Sequence, residues 1–442
     1  VNGANGLEHG FTLNEAPRSR RNAAPLRLAL QVGAGWRATA HADGQHVTLR
    51  NDHGQTIDYG KLSVRDAKWR AIPGKLTVAN EQVVIEVADQ DAAYPLTIDP
   101  LFTRGQTLLA EDPLPEAYLG QSVALVGDTA LVGAPGDNGA RGAAYVFVRS
   151  GTTSNAVWAI QTKLLAFDGA AGDAFGTSVA LSGDTALVGA PDGPGPVGGN
   201  QGVAYVFTRN GTAWTQQRKL FANDGQNDVK FGTAVALDGD TALVGAPFQP
   251  TAGVTTGAAY IFTRNGTTWT QQPRLNANDA ATGDQFGAAV ALDGDMALIG
   301  APKNTVTFAN QGAAYAFTRN GADWVFQQRI TASSQSAAGD NFGNAVALSG
   351  DQAAIGANLK GSDDRGKVFT FRRGATGWGT TSSFEMPVPV AGAHFGTALA
   401  LRGNTMVVGA ALGPIEAGAD HRSAYIYTLH GQTWASGKQL GV

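Results

Sequence analysis

The sequence predicts an all-β protein in which a small antiparallel β-domain, residues 1–100, precedes an array of repeated four-stranded sheets, residues 101–442. Three observations lead to this prediction. A stretch at residues 175–191, FGTSVALSGDTALVGAP, recurs in near copies, the copies have a nearly fixed period, and each period carries strand and turn signals throughout. The copies begin near residues 119, 175, 231, 286, 342 and 395, and their second-position glycines, Gly120, Gly176, Gly232, Gly287, Gly343 and Gly396, lie 56, 56, 55, 56 and 53 residues apart.

Residues 1–100 lack this period and show short apolar runs separated by Gly, Asn and Asp, the first of them at residues 26–32. The pattern predicts a sandwich-like antiparallel β-domain. His41, Asp43 and His46 could indicate a metal site. However, they flank an Ala-Asp-Gly-Gln turn, so we interpret them as the tip of a hairpin.

Each later period contains four strand-like segments joined in order. In the second copy the first two, residues 179–181 and 186–188, are separated only by a Gly-Asp turn. The third, residues 202–209, leads through Asn210-Gly211 into the fourth, residues 214–220. Asn-Gly supplies the positive φ angles that a two-residue hairpin needs. Each period is therefore predicted to be a four-stranded antiparallel meander.

A single meander cannot bury both of its faces, so the copies are expected to pack radially as the blades of a β-propeller. Small Ala, Gly and Ser side chains in the first two strands would let blades approach one another near the axis. Direct counting gives six blades. Residues 101–111 resemble a further fourth strand, so strands of the N-terminal domain could complete a seventh blade, and some pairing between the two ends of the chain is expected.

The repeat resembles a known family. A Phe-Gly step, a strand and then Gly-Ala-Pro, as in Phe231-Gly232 and Gly245-Ala246-Pro247, is similar to the FG-GAP repeat of the integrin α-subunit propeller and of many secreted bacterial proteins. The resemblance covers about residues 101–442 and implies an adhesive role. Calcium-binding members carry a DxDxDG-type loop where this chain has only a Gly-Asp turn. Since Ca²⁺ takes six to eight oxygen ligands, we expect no cofactor, and calcium only if other residues supply its ligands.

Composition excludes several classes of function. A net charge of −4 argues against nucleic acid as a partner, and no apolar stretch approaches the length of a membrane span. The absence of cysteine excludes disulfides and thiol catalysis. These features suit a secreted or cell-surface protein. Val1 rather than Met stands first, so we expect that an N-terminal segment has been removed.

Candidate binding residues lie in the loops between second and third strands, because these loops vary while the other turns are short and uniform. The fifth and sixth repeats depart most from the pattern. Their candidate ligand-binding residues are Lys360, Asp363, Asp364, Arg365, Glu416, Asp420, His421 and Arg422. His394 and His430 lie in the sixth repeat or at its entry, and Glu385 lies in the segment that leads into it. Acid, base and cation side by side could bind sugar hydroxyls or act as a general acid and base, although solvated loop charges would give the same pattern.

Other repeated polar and aromatic residues are interpreted structurally. One Trp per period, such as Trp214, is expected to pack on the outer strands rather than form a sugar platform. The Arg before each Asn-Gly turn, such as Arg209, is expected to contact that Trp or a carboxylate. The acids before each Phe-Gly step, such as Asp173 and Asp284, are expected to cap turns rather than bind metal.

Three functions remain open at this point. The first is a secreted or surface binding module that recognises an extracellular glycan or protein through the variable-loop face. The second is a polysaccharide lyase or glycoside hydrolase with its site over repeats five and six, although the chain shows no nucleophile motif and we expect a protein that is not an enzyme. The third is a structural spacer domain. The sequence does not identify the ligand, because a fold does not determine a function.

Overall fold

A computed structural model describes residues 2–3, 6–8, 11–17, 25–33, 35–41, 43–51, 56–68, 70–103, 108–110, 112, 114, 116–150, 157–196, 199–361, 363–387, 390–411, 423–431, 433–435 and 437–440. The chain divides into two compact units, residues 1–109 with 149–159, and residues 110–148 with 160–442. Helix is confined to Asp137–Ala140 (α1) and a 3₁₀ turn at Ser333–Gln335 within these ranges. None of the described helices has the length and apolar character needed to cross a membrane.

The N-terminal strands form two antiparallel sheets. They are β1 Asn2–Gly3, β2 Gly6–Glu8, β3 Phe11–Leu13, β4 Leu26–Gln31, β5 Trp36–Ala40, β6 His46–Asn51, β7 Thr56–Arg65, β8 Gly74–Ala79, β9 Gln82–Val87 and β10 Leu96–Thr103. One sheet has the order β1-β2-β10-β7-β6-β5, with β3 also on β10, and the other has the order β4-β9-β8. Alternate side chains such as Val47, Leu76 and Ile85 form the buried core. As expected, His46 lies at a hairpin tip, where its Nδ1 is 2.6 Å from Asp43 Oδ2.

Asp66 is one of two buried carboxylates among the described residues of this unit, the other being Asp89. Asp66 accepts hydrogen bonds from Arg70 Nε at 2.8 Å and from the amides of Arg70, Lys68 and Ala93. Burial alone would raise the pKa of this carboxyl, but the hydrogen bonds lower its pKa to about 2. A carboxyl whose folded-state pKa lies below its ordinary value of 3.8 stabilises the fold above that pH, and this contribution is lost as the pH falls towards 2.

Acid is therefore expected to open the N-terminal unit in a way that depends on Asp66. Pepsin cleavage within residues 25–103 of the full chain, mapped by mass spectrometry, should increase more steeply between about pH 4 and pH 2 in the native protein than in Asp66→Asn. The comparison concerns slopes, because the variant starts from a lower stability. Equal slopes would show that Asp66 is not the titrating group.

Six antiparallel sheets follow in the described chain, each a meander of four strand positions in sequence order, so the prediction of a β-propeller built from four-stranded blades is confirmed. Blades one to three contain β11 Ser122–Val126, β12 Thr129–Ala134, β13 Ala143–Ser150, β14 Val157–Leu164; β15 Ser178–Ser182, β16 Thr185–Ala190, β17 Val203–Asn210, β18 Ala213–Leu220; β19 Ala234–Asp238, β20 Thr241–Ala246, β23 Ala258–Asn265 and β24 Thr268–Gln271, with a small loop hairpin of β21 Pro250–Thr251 and β22 Val254–Thr255. Blades four to six contain β25 Ala289–Asp293, β26 Met296–Ala301, β27 Ala313–Asn320, β28 Asp323–Ile330; β29 Phe342–Ser349, β30 Gln352–Ala357, β31 Lys367–Gly374, β32 Gly377–Phe384; β33 Ala398–Arg402, β34 Thr405–Ala410, β35 Ser423–His430, β36 Thr433–Trp434 and β37 Lys438–Leu440.

Consecutive blades meet through their first strands and through glycine. The first strand of each blade contacts the first strand of the next, so these strands are the inner ones. In blade three, Gly245 lies so close to blade four that a Cβ atom would stand 1.9 Å from the carbonyl oxygen of Gly287. Ser178 Oγ donates a hydrogen bond of 2.7 Å across the preceding joint to the carbonyl of Gly232. The glycines of the repeat therefore permit backbone-to-backbone contact between blades.

The Phe of each Phe-Gly step fills the space between sheets. Phe231 is fully buried and packs against Tyr260 and Phe262 of its own third strand, with ring centroids 5.5 and 6.0 Å apart. The equivalent Phe286 of blade four also forms a parallel bridge to Gly257, which precedes the third strand of blade three. Large rings thus fill the space between neighbouring sheets while the inner strands keep small side chains.

A repeated arginine joins neighbouring blades at the end that carries the Gly-Asp and Asn-Gly turns, and we call this set of contacts the arginine latch. Arg209 Nε donates to Asp184 of its own Gly-Asp turn at 2.6 Å, and Arg209 Nη1 donates to Thr129 Oγ1 of the preceding blade at 2.9 Å. The guanidinium lies 5.3 Å from the centre of the Trp214 ring, whose Nε1 donates to Gln161 of the preceding blade. Arg264 and Arg319 repeat this arrangement. The structural roles predicted for the repeated Arg and Trp residues are confirmed in blades two to four, while Arg373 of blade five departs from them.

Blade six takes all four of its strand positions from residues 398–440, with β36 and β37 both paired to β35. Within the part of the chain that the structure describes, no N-terminal strand enters this sheet, so the expected pairing between the two ends of the chain is not observed there. Residues 101–103, the start of the segment that resembles a fourth strand, extend β10, which pairs with β2, β3 and β7.

Candidate functional site

The described loops between second and third strands lie at one end of the blades, opposite the Gly-Asp and Asn-Gly turns. We call this end the loop face. The second strands end and the third strands begin there because each blade is a simple antiparallel meander. The described loops differ in content: blade one carries α1, blade three carries the β21–β22 hairpin, and the others have no regular strand. Variable loops on a uniform scaffold give the loop face its individual chemistry.

Six residues in left-handed conformation line the inner rim of the loop face, and we call them the inner ring. The residue before each Phe-Gly or Leu-Gly step directly precedes the entry to an inner strand, and it has a φ between +50° and +59° in every repeat. These residues are Tyr118, Ala174, Lys230, Gln285, Asn341 and His394. Such angles are uncommon outside glycine, and they repeat here because the crossing between blades bends at the same point each time.

Two contacts connect this ring across neighbouring blades. The Lys230 ammonium forms an ion pair with Asp192, which follows the Gly-Ala-Pro of the preceding blade. Lys303, at the equivalent position in blade four, donates from Nζ to Asn341 Oδ1 at 2.8 Å. Sequence reasoning missed the residues that precede the Phe-Gly steps because they differ in type from repeat to repeat. Their fixed place before the Phe-Gly step was the signal that could have identified them.

Lys360, the first candidate in the fifth loop, is engaged within the fold. Its Nζ lies 2.7 Å from Asp340 Oδ2 and also donates to the carbonyl of Gln335. The side chains of Lys360 and Asp340 are only 14% and 3% exposed. Lys360 thus anchors its loop to the crossing that enters blade five.

Asp364 and Arg365 are the exposed charged residues of the fifth loop, and the neighbouring Asp363 is half-buried. Arg365 Nε donates to Asp363 Oδ2 at 2.6 Å, in a pair that solvent reaches. Asp364 is exposed and has a φ of +54°. The loop backbone is held at three successive carbonyls: Asp363 accepts from the amide of Gly392, Asp364 from that of His394, and Arg365 from that of Phe395, at 2.7, 3.1 and 2.8 Å. The side chains therefore project from a fixed backbone, with His394 beside Asp364.

The sixth loop is not described. Glu416, Asp420, His421 and Arg422 lie outside the described residues, so their proximity to Asp364 stays a prediction. Glu385 Oε1 lies 3.1 Å from Lys367 Nζ. His430 begins the turn to Thr433 between the third and fourth strands, which lies at the end opposite the loop face. The structure therefore brings together Asp363, Asp364, Arg365 and His394 and separates His430 from them.

Turn capping by the acids of the blade crossings is confirmed for Asp173, Asp284 and Asp340, whereas Asp168, Asp224 and Asp279 instead bind a Tyr and a Lys or Arg. The buried carboxylates of Asp173, Asp284 and Asp340 each accept from the amide three residues earlier, at 2.7–2.8 Å. A second acid, such as Asp168, accepts from Tyr205 Oη at 2.9 Å and pairs with Lys219 Nζ at 2.7 Å. Burial opposes ionisation of Asp168, but the Lys219 and Tyr205 hydrogen bonds leave its pKa below the ordinary value. Among the described residues no group of three or more His, Asp or Glu side chains is arranged to hold a metal ion.

The described loop face is polar. It offers fixed carboxylates, a guanidinium, an imidazole and amides, all suited to charge-assisted hydrogen bonds with a polar partner. The carboxylates that are buried are already satisfied by backbone amides, Tyr or Lys. The exposed polar groups of the fifth loop therefore project from a backbone that is fixed by hydrogen bonds.

Comparison with known proteins agrees with this geometry. No curated protein matches the chain. The FG-GAP repeat model matches six segments, residues 102–147, 158–207, 214–262, 269–317, 324–371 and 378–427. Each match starts in the fourth strand of one sheet or its equivalent and ends in the third strand of the next. Because these segments span well over half of its length, the chain belongs to the FG-GAP repeat family.

Proposed function

We propose that the chain is an extracellular binding module that recognises a glycan or a protein through the loop face of its propeller. FG-GAP repeats occur in integrin-like adhesion modules, which supports binding as the general role. The observation that carries the proposal is the fifth loop, whose backbone is fixed by three hydrogen bonds while Asp364 and Arg365 stay exposed. A surface that is ordered before binding loses little conformational entropy when a partner binds.

The exposed charges of Asp364 and Arg365 would contact the binding partner, and Lys360 would not. Arg365 presents a planar donor fork to acceptors, and Asp364 presents acceptors to hydroxyl or amine donors. Lys360 holds the loop in place through Asp340. A secreted or cell-surface location is part of this proposal, since adhesion modules meet their partners there.

The first experiment is a binding screen on glycan and extracellular-protein arrays, run beside reducing-sugar and unsaturated-product assays on acidic and neutral polysaccharides. Binding without turnover is the expected result. Turnover would instead support the enzyme hypothesis and direct attention to repeats five and six. No binding and no turnover would favour the spacer.

For a partner found in this screen, Asp364→Asn and Arg365→Gln are expected to weaken binding by about tenfold each, the usual value of one charge-assisted hydrogen bond. Asn tolerates the left-handed φ of Asp364, so the melting temperature should be unchanged. Arg402→Gln is the matched control, because Arg402 is exposed at the Gly-Asn turn of the opposite end. Full binding by both loop variants would place the contact elsewhere.

A further inference from the structure

A polar cleft lies between blades four and five, at the end opposite the loop face. Its volume is about 580 Å³, and it lies beside the third-to-fourth-strand turn of blade five. Thr318, Gln327 and Met296 border it from blade four, and Arg373 and Thr376 border it from blade five. A volume of several hundred Å³ is that of a small-molecule site.

The cleft exists because blade five departs from its neighbours. The residues that flank the third-to-fourth-strand turn are Asn210 and Ala213 in blade two and Asn320 and Asp323 in blade four. In blade five both are glycines, Gly374 and Gly377. Only the Gly377 carbonyl oxygen, at 3.8 Å, lies within 4 Å of where a Gly374 Cβ would be, whereas the Gln328 amide fills the space beside Gly377, with its oxygen 2.5 Å from where a Cβ would be. Gln328 closes the floor, with its amide group bonded to the backbone N–H and C=O of Trp378 at 2.7 and 3.0 Å.

The arginine latch is also rearranged in blade five. Arg319 and its equivalents are half-buried between an Asp of their own blade and a Thr of the preceding one. In blade five the carboxylate, Asp351, is bound by Arg372 at 2.6 Å. The position of the Thr is occupied by Met296, and Arg373 Nη1 reaches only its sulfur, at 2.9 Å.

Arg373 is therefore an exposed guanidinium on the wall of a cleft, without a carboxylate partner among the described residues. A thioether is a weak acceptor, which leaves most of the five donors of Arg373 available. Since Arg372 and Asp351 neutralise each other, the cleft carries one net positive charge. An arginine in this setting suits a carboxylate, which it can bind through two parallel hydrogen bonds.

We propose that this cleft binds a uronic-acid unit of an acidic glycan, with Arg373 on the sugar carboxylate. The lining also includes the carboxylate of Asp351, whose charge Arg372 balances, together with the hydroxyls of Thr318 and Thr376 and the amide of Gln327, which match the hydroxyls of a sugar ring. A peptide acid would leave these groups unmatched. This site is independent of the loop face, because it lies at the other end of the blades.

The test is isothermal titration calorimetry of the full chain with trigalacturonate, the neutral galactose trisaccharide and hexaglutamate. We expect trigalacturonate to bind, and Arg373→Gln to weaken it at least about tenfold, as loss of a charge-assisted hydrogen bond to an ion does. Arg218→Gln, an exposed arginine on the fourth strand of blade two, should bind as the native protein does. Both substitutions are on the surface, so neither should lower the melting temperature.

A second variant tests the origin of the cleft. Met296→Thr restores the hydroxyl that holds the arginine in blades two to four, so Arg373 should be drawn into the latch and trigalacturonate binding should weaken while Arg373 is still present. Native affinity in Arg373→Gln would overturn the proposal. So would equal affinity for the neutral trisaccharide, or tighter binding of hexaglutamate, which would indicate an acidic peptide as the ligand.

Discussion

Gly245→Ala is expected to be among the most destabilising single substitutions in the propeller, lowering the free energy of unfolding by about 3 kcal/mol or more, as severe overpacking does. The new Cβ would stand 1.9 Å from the carbonyl oxygen of Gly287 and 2.9 Å from its carbonyl carbon. These atoms belong to the backbone of blade four, so no side-chain rotation can relieve the contact. The blades themselves would have to separate.

Gly409→Ala is the matched control, because Gly409 holds the same strand position in blade six. Its nearest non-local atom to an added Cβ is the Ala398 Cβ at 3.3 Å, and no carbonyl of a following blade lies within 3.7 Å. We expect a change below about 1 kcal/mol, since alanine also restricts the unfolded chain. Urea unfolding of both variants measures the difference. Similar losses in the two variants would show that strand propensity, and not contact between blades, makes the glycine necessary.

Local signals in the sequence predict one part of the fold, and contacts between distant residues decide the other part. The period, the Gly-Asp and Asn-Gly turns and the alternation of Tyr205 and Phe207 are local signals, and they sufficed for four-stranded blades. The role of Gly245 is not local, because it depends on Gly287 of the next blade. The pairing expected between the chain ends, which is not observed among the described residues, also depends on distant partners. Residues 101–103 are equally compatible with a blade and with β10, and only the partners available in the N-terminal sheet decide between them.

The candidate site was predicted in part. The fifth loop was identified from its composition, and Asp364 and Arg365 are indeed exposed on it. Composition could not show that Lys360 is buried against Asp340, because the partners are twenty residues apart and meet only when the blade crossing folds. The inner ring escaped notice because its members share a backbone angle, which no residue type reveals.

Lys360→Met is expected to lower the free energy of unfolding by about 3 kcal/mol, because breaking one partner of a buried pair leaves the other charge unpaired. Asp340 is 3% exposed, so water cannot replace the lost ammonium. Lys367→Met should cost less than about 1 kcal/mol, since its partner Glu385 is 54% exposed. Both substitutions remove a lysine from the same blade, which makes the second a control for the first.

The double variant Lys360→Met with Asp340→Asn separates loss of the charge pair from loss of packing. The introduced asparagine side chain would keep an oxygen acceptor for the amide of Ala337, which lies 2.7 Å from the native carboxylate, but it carries no charge that needs a partner. The double variant should therefore recover more than half of the stability lost by Lys360→Met, measured by urea unfolding. If it recovers none, the methylene stem of Lys360 and not its charge holds the loop. A recovery would mean that the fifth loop is positioned by a buried ion pair, and that binding assays on Lys360 variants report the position of Asp364 and Arg365 and not a contact of Lys360 itself.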